Sequence, residues 1–344
     1  RISGNQAIHP FSRGRIVTRV VHFVSHLGVG GTEAVILDHC RYRNRADFEY
    51  VVACRDESPS VFADELRTVG VPVVVGPEAC RAAVNSADLV NLHWWGYSKP
   101  LLATVRHRPF VTTLHWQAIL PHIPALTIST SEYVRRIQPR PERFVAIPNG
   151  IDLERFTPSP RPQRKRIVVT RVCRPPKCAI YFWDAVHRLL ARYPQLEVRI
   201  VGNREGAQHP SPRVRFLGVR RDIPEILRDT DIFLYTPSPE IGTKDLVVME
   251  ASACGVPCVV SDVSVVRESV EHGRNGFLTP FGDVDAVVES VARLIEQPEL
   301  RAQMGRNAAE MARRQFDVRR NVERYEAVYR GVLAGYRRGH AGIH

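Results

Sequence analysis

Short β-branched runs alternate with amphipathic stretches along almost the whole chain, and that alternation decides the fold class. Val20–Val24, Tyr50–Ala53, Val71–Val75, Leu89–Leu92, Phe110–Leu114 and Leu126–Ile128 each have strand length. Each is followed by a Gly, Ser or Pro signal and then a helical pattern. Continuous apolar strands interleaved with helices imply a parallel sheet covered on both faces. Thr32–Cys40, Ser60–Val69 and Ser131–Ile137 read as helices, the last with Ser131 as N-cap.

The pattern breaks at Pro148-Asn149-Gly150-Ile151-Asp152 and again over 157–166, where TPSPRPQRKR has no apolar period and reads as a linker. The alternation then restarts. Ile167–Thr170, Val198–Val201, Val214–Leu217, Ile232–Tyr235 and Cys258–Ser261 read as strands. Ala179–Tyr193, Asp222–Arg228, Leu246–Cys254, Val284–Glu296 and Pro298–Arg313 read as helices. Asn321–Tyr336 is a last amphipathic helix, with Tyr325, Val328, Tyr329 and Val332 on one face. The expectation is an α/β chain of two doubly wound, Rossmann-like parallel-sheet domains, residues 1–152 and 153–320. Residues 321–344 form a terminal helix that packs back on the first domain. Ligands of such sheets bind outside the carboxyl ends of the strands, so two in tandem put a site in the cleft between them.

Composition narrows the partners. The 344 residues suffice for two cores. Lys and Arg number 48 against 36 Asp and Glu, for a net charge of +12. The excess is spread along the chain and lies almost wholly in arginine, so no basic arm argues for nucleic acid. Anionic small substrates and peripheral contact with an anionic membrane fit the charge. No apolar run approaches the roughly 20 residues of a membrane span, and Arg1–Arg15 lacks the apolar centre of a signal peptide, so the cytoplasm is expected. The seven cysteines follow no zinc spacing, with Cys173 and Cys178 five apart and Cys254 and Cys258 four apart; thiols in a reducing compartment and no metal site are expected.

Four groups of residues could carry chemistry. Gly28-Val29-Gly30-Gly31-Thr32-Glu33 follows the first strand and opens a helix, a place for an anion or simply a tight turn. Glu33 stands where a dinucleotide fingerprint needs its third Gly, and no acidic residue clearly ends the second strand, which argues against a nicotinamide cofactor. His93, Trp94, Trp95 and Tyr97, with His115 and Trp116, cluster at strand ends; flat aromatic faces suit a sugar ring, and the tryptophans alternatively suit a core. Arg171 ends the first strand of the second domain and Lys177 precedes the next helix, a pair suited to a diphosphate. In 237–250 a strand ends, a loop with Glu240, Gly242, Thr243 and Lys244 follows, and a new helix offers N–H groups at Leu246 and Val247. Glu250, inside that helix, can accept two bonds from a ribose diol.

In this order, and with PNGID at 148–152, FLG at 216–218 before Asp222, MEASACGVPCVVSD at 249–262 and Glu268 ahead of Asn275-Gly276-Phe277-Leu278, the chain resembles glycosyltransferase family 4 from about residue 16 to 336. These are retaining nucleotide-sugar transferases of the GT-B fold. The resemblance implies a donor diphosphate at Arg171, Lys177, Gly30 and Gly31, a ribose on Glu250, and a donor sugar near His115. It implies a donor-binding second domain, with Gly242, Thr243, Lys244, Leu246 and Val247 around the donor, and an acceptor side on the first domain at His93, Trp94, Trp95, Tyr97 and Trp116. Catalytic roles fall to His115, Glu240, Arg171 and Lys177. The family's first glutamate would fall on Gly242, and a shift of the loop would bring Glu240 to the sugar instead. The implied function is transfer of a sugar from a nucleotide-sugar, a UDP-sugar, to a small-molecule, glycan or lipid-linked acceptor, without cofactor or metal. The alternatives are an epimerase or phosphorylase on the same scaffold and a sugar-nucleotide-binding protein that lost catalysis.

Overall fold

The computed structural model describes residues 17–28, 30–56, 61–93, 105–115, 117–120, 125–160, 165–172, 181–202, 209–237, 246–263 and 265–340. Seven parallel strands form the first sheet: β1 Thr18–Val24, β2 Phe48–Cys54, β3 Val73–Val75, β4 Leu89–His93, β5 Phe110–Leu114, β6 Thr127–Ser129 and β7 Phe144–Ala146, in the order β3-β2-β1-β4-β5-β6-β7. Its helices are α1 Gly31–Tyr42, α2 Val61–Thr68, α3 Pro77–Asn85 and α4 Glu132–Arg136. Six parallel strands form the second sheet: β8 Ile167–Val172, β9 Leu196–Val201, β10 Val214–Gly218, β11 Ile232–Tyr235, β12 Cys258–Ser261 and β13 Gly276–Thr279, in the order β10-β9-β8-β11-β12-β13. Its helices are α5 Tyr181–Arg192, α6 Ile223–Arg228, α7 Leu246–Ala253, α8 Val284–Glu296 and α9 Pro298–Gln315, and α10 Val318–His340 follows.

Each sheet buries one apolar layer per face, as β-branched strands require. On the second sheet Val169, Val198, Ile200 and Leu234 pack with Phe182, Leu189 and Val291 on one side, while Phe233, Tyr235 and Val260 pack with Val248, Met249 and Phe316 on the other. Three short elements escape the sequence patterns. β7 and β13 have only three and four residues, and α3 buries only Cys80 and Val84. β3 is an edge strand whose pairing begins at Val73, two residues after the apolar run starts.

The last helix begins at Val318 and returns to the first domain, where Tyr325, Tyr329 and Leu333 join Val20, Ile36, Tyr50 and Ile147 in one core. The PNGID turn makes this crossing possible. A Cβ on Gly150 would lie 2.5 Å from the Val318 Cα and 2.9 Å from the Asn321 Cβ, so only glycine lets the helix start pass so close. Asn321 then donates to the Pro148 carbonyl and bonds through Oδ1 to His39 Nε2 at 2.7 Å, tying turn, helix α1 and helix α10 together. Asp152 accepts from the backbone N–H groups of Glu154 and Arg155, both at 3.1 Å, and its second oxygen faces Arg41. The motif is thus a hinge-side tie between the domains.

Candidate active site at the carboxyl ends of the two sheets

The strand order reverses between β1 and β4 in the first sheet and between β8 and β11 in the second. At such a switch point the flanking loops diverge and open a crevice beyond the carboxyl ends. Among the described residues, those singled out from sequence fall around these two points: the glycine loop follows β1, His93 ends β4, Arg171 is the penultimate residue of β8, and Leu246 opens α7, the next helix after β11.

In the glycine loop, the Gly28 N–H donates to the Glu33 carboxylate at 3.0 Å. Glu33 therefore folds back and fastens the loop, which gives the residue in the third-glycine position a structural job. Gly30, in extended backbone, caps α1. A Cβ on Gly31 would sit 3.0 Å from Leu246 Cδ1, at the first residue of α7. The bare backbone of α1 and the opening turn of α7 thus meet across the gap between the domains. Glu250 lies one turn further along α7, partly buried. Burial raises its carboxyl to about 7, Asp38 of α1 adds to the rise, and Arg155 opposes it. Burial also lifts Asp38 to about 7, against the pull of Arg41. Two carboxyls, one from each domain, thus sense each other across the same gap.

Arg171 is only 4% exposed, and its guanidinium carbon lies 4.3 Å from the centroid of the Phe182 ring on α5. Stacking on an aromatic face is favourable for a planar cation. The charge is therefore anchored at the carboxyl end of β8.

The histidines form a staircase. His22 of β1 pairs in register with Asn91 of β4, and His93 pairs with Thr113 of β5, so His93 and His115 each stand two residues further toward the carboxyl end than the histidine before. His22 Nδ1 lies 2.8 Å from His93 Nε2, and His93 Nδ1 lies 2.9 Å from His115 Nε2. Behind them runs a second polar row, in which Thr113 donates to Asn91 Oδ1 and the Asn91 amide donates to the Tyr329 hydroxyl, both at 2.8 Å. The structure corrects the expectation for His93. It is 1% exposed and both ring nitrogens are occupied, so it bonds to other histidines and not to an acceptor. His115 ends the chain of rings just beyond β5, at 8% exposure. Burial, followed by the charge of His39, lowers its imidazole to about 3, so it is neutral at physiological pH.

A further contact joins the domains. The Glu268 carboxylate accepts from Ser131 Oγ at 2.8 Å and from the Tyr133 N–H at 2.7 Å, so the second domain helps to cap α4 of the first. Ser131 is itself the N-cap, accepting from the Val134 N–H at 3.2 Å. His22, Asn91, Thr113 and Asp38 were not anticipated as site neighbours. For His22, Asn91 and Thr113 the signal was a polar residue inside an otherwise apolar strand, as in VVHFV and LVNLH, whereas Asp38 lies on helix α1. Trp94, Trp95, Tyr97, Trp116, Lys177, Glu240, Gly242, Thr243 and Lys244 lie outside the described residues. No group of three or more His, Cys, Asp or Glu suited to a metal occurs among the described residues. No described helix is long and apolar enough to cross a membrane.

Comparison with known proteins places this geometry. Residues 163–297 match the family described as glycosyl transferases group 1. The N-acetyl-alpha-D-glucosaminyl L-malate synthase of Bacillus anthracis is 35% identical over 131 residues, covering 38% of this chain and 34% of the relative. The UDP-Gal:alpha-D-GlcNAc-diphosphoundecaprenol alpha-1,3-galactosyltransferase of Escherichia coli is 27% identical over 220 residues, covering 57% of this chain and 56% of the relative. The matched stretches therefore span from about a third to a little over half of these relatives' lengths. The crystal structure of Anabaena Alr3699/HepE in complex with UDP and glucose superposes with a TM-score of 0.75 at 23% identity, over 91% of this chain and all of that one. The chain has the two-domain GT-B fold, and its residues 163–297 are similar to the glycosyl transferases group 1 family.

Proposed function

We propose that the chain is a retaining glycosyltransferase that moves a sugar from a UDP-sugar to a glycan or lipid-linked acceptor. The observation that carries this reading is the meeting of the two switch points in one gap. Gly31 faces Leu246 there, and Glu250 lies one turn behind. Bare backbone and the free N–H groups of a helix start suit a diphosphate. The partly buried Glu250 suits a ribose diol, since a carboxylate accepts from both hydroxyls. Similarity to a UDP-galactose-dependent enzyme with a diphosphoundecaprenol acceptor supports the donor and acceptor classes.

In this reading the protein supplies no nucleophile. Arg171, Lys177 and the N–H groups of Leu246 and Val247 stabilise the charge that develops on the leaving diphosphate, an effect of preorganised electrostatics. Those groups can neutralise the diphosphate without a metal. His115 and Glu240 hold the donor sugar, and closure of the domains excludes water and limits hydrolysis. Trp94, Trp95, Tyr97 and Trp116 form the acceptor side.

The test is a panel of nucleotide-sugars incubated with and without polyprenyl-diphosphate acceptors, with released nucleotide read by mass spectrometry. UDP release that depends on acceptor supports transfer. Release without any acceptor-dependent product points to an epimerase or phosphorylase-like reaction, and UDP binding with no turnover of any donor points to a binding protein.

A further inference from the structure

The row His22–His93–His115 has no part in binding donor or acceptor directly beyond its last ring, yet it is buried and hydrogen-bonded end to end. Burial holds all three imidazoles neutral: His115 is lowered to about 3, and His22 and His93 lie well below their ordinary value. A neutral imidazole has one N–H and one bare nitrogen, so it donates at one side and accepts at the other. Two consecutive bonds therefore force the three rings to share one direction. Either every bond donates from His22 toward His115, or every bond donates the other way.

The inner end decides between them. His22 Nε2 is buried with no hydrogen-bond partner, enclosed by Tyr50, Tyr329 and His39. A buried N–H without an acceptor is the rarer and more costly orphan; a bare lone pair is tolerated better. The arrangement that leaves His22 Nε2 bare puts the proton on His22 Nδ1, donating to His93 Nε2. It then puts the next proton on His93 Nδ1, donating to His115 Nε2. His115 is left with its proton on Nδ1. The rings are also nearly parallel, 23° apart for the first pair and 16° for the second, so the orientation of His115 is fixed together with its tautomer.

We propose that His93 and His22 are positioning residues that lock His115 as the Nδ1–H tautomer, so that it meets the donor sugar as a hydrogen-bond donor of fixed direction. The proposal rests on the reading of His115 as a donor-sugar contact. It differs from that reading because it assigns a role to two residues that never touch the sugar.

The test has two arms. In the wild-type protein, histidine-selective 15N labelling reads the tautomer of each ring, with single His→Gln variants for assignment. The expected result is a neutral Nδ1–H form for His22, His93 and His115; an Nε2–H form at His115 overturns the proposal without reference to any variant's folding. In the kinetic arm, His93→Leu should lower kcat roughly ten- to hundredfold through misplacement of His115, with little change in UDP affinity. His93→Asn, whose amide can donate from the Nδ1 position, should recover most of the loss. His93→Leu added to His115→Ala should cost little more than His115→Ala alone. If His115→Ala slows transfer while a folded His93→Leu does not, the chain of rings has no positioning role. If His115→Ala itself leaves transfer unchanged, the reading of His115 fails instead.

Discussion

The two sheets are built alike but filled differently at their centres. In the second sheet the buried polar contacts include the Thr170 and Thr230 hydroxyls at 2.7 Å and the Asp231 carboxylate accepting from the Val168 N–H at 2.8 Å, with no row of histidines among the described residues. In the first sheet, histidines, an asparagine and tyrosines run through the layer beneath α1 and α10. Apolar strands beneath binding loops make a rigid platform whose chemistry lies in the loops. A buried polar network that reaches a strand end links core side chains to the cleft rim through hydrogen bonds. In the proposed function the second domain therefore presents the donor site on a plainer scaffold, and in the proposed positioning role the scaffold of the first domain itself takes part.

This contrast can be broken by removing charge from one half and polarity from the other. The largest effect is expected in the second domain. Arg171→Ala combined with Lys177→Ala should weaken UDP by about a hundredfold or more, since each charge-assisted bond is worth roughly 1.5–3 kcal/mol. Uridine should be affected much less. Isothermal titration measures both ligands, and equal losses would take the diphosphate away from these cations.

The next effect belongs to the first domain and to stability. Asn91→Leu leaves the Thr113 hydroxyl without its acceptor and the Tyr329 hydroxyl without its donor. It should cost about 1–3 kcal/mol, seen as a lower denaturation midpoint, with UDP affinity unchanged. A loss of UDP affinity in the folded variant would mean that the two halves are not separable.

Much of this division was readable in the sequence. β5, β11, β12 and α8 fall within the predicted limits, because each is an uninterrupted apolar run or a strong helical period between turn signals. The helix start at Leu246 was legible because an apolar helical run follows a turn signal, and Glu250 falls inside that helix as expected. The role of His93 was not legible. A polar residue ending a strand looks the same whether it faces a cleft or a neighbouring ring, and only the register of β1, β4 and β5 separates the two. The same register turns His22 and Asn91 from isolated oddities into members of a network. Glu268 appeared in a family-like segment, but its capping of α4 depends on how the domains meet.

A smaller effect sharpens the boundary between the halves. Glu250 is raised to about 7, by burial first and by Asp38 of the other domain second. The ionised form is the one that accepts from both ribose hydroxyls, so affinity for UDP should fall as pH drops through 7. At pH 6 it should be about tenfold weaker than at pH 8, the change in ionised fraction one unit below the pKa. Glu250→Gln should flatten this profile, and deoxyribose UDP should show little of it. Asp38→Asn should shift the midpoint downward. A midpoint that ignores Asp38 would mean that the two carboxyls do not meet in solution.

The account's central claim is that the sugar leaves its donor in this gap with its anomeric configuration kept. The direct measurement is the anomer first formed when a UDP-α-sugar is turned over, followed by proton NMR before mutarotation. The account predicts an α-configured first product, lost together with turnover in the Arg171→Ala, Lys177→Ala double variant. A β-configured first product, or undiminished turnover in that variant, would contradict it.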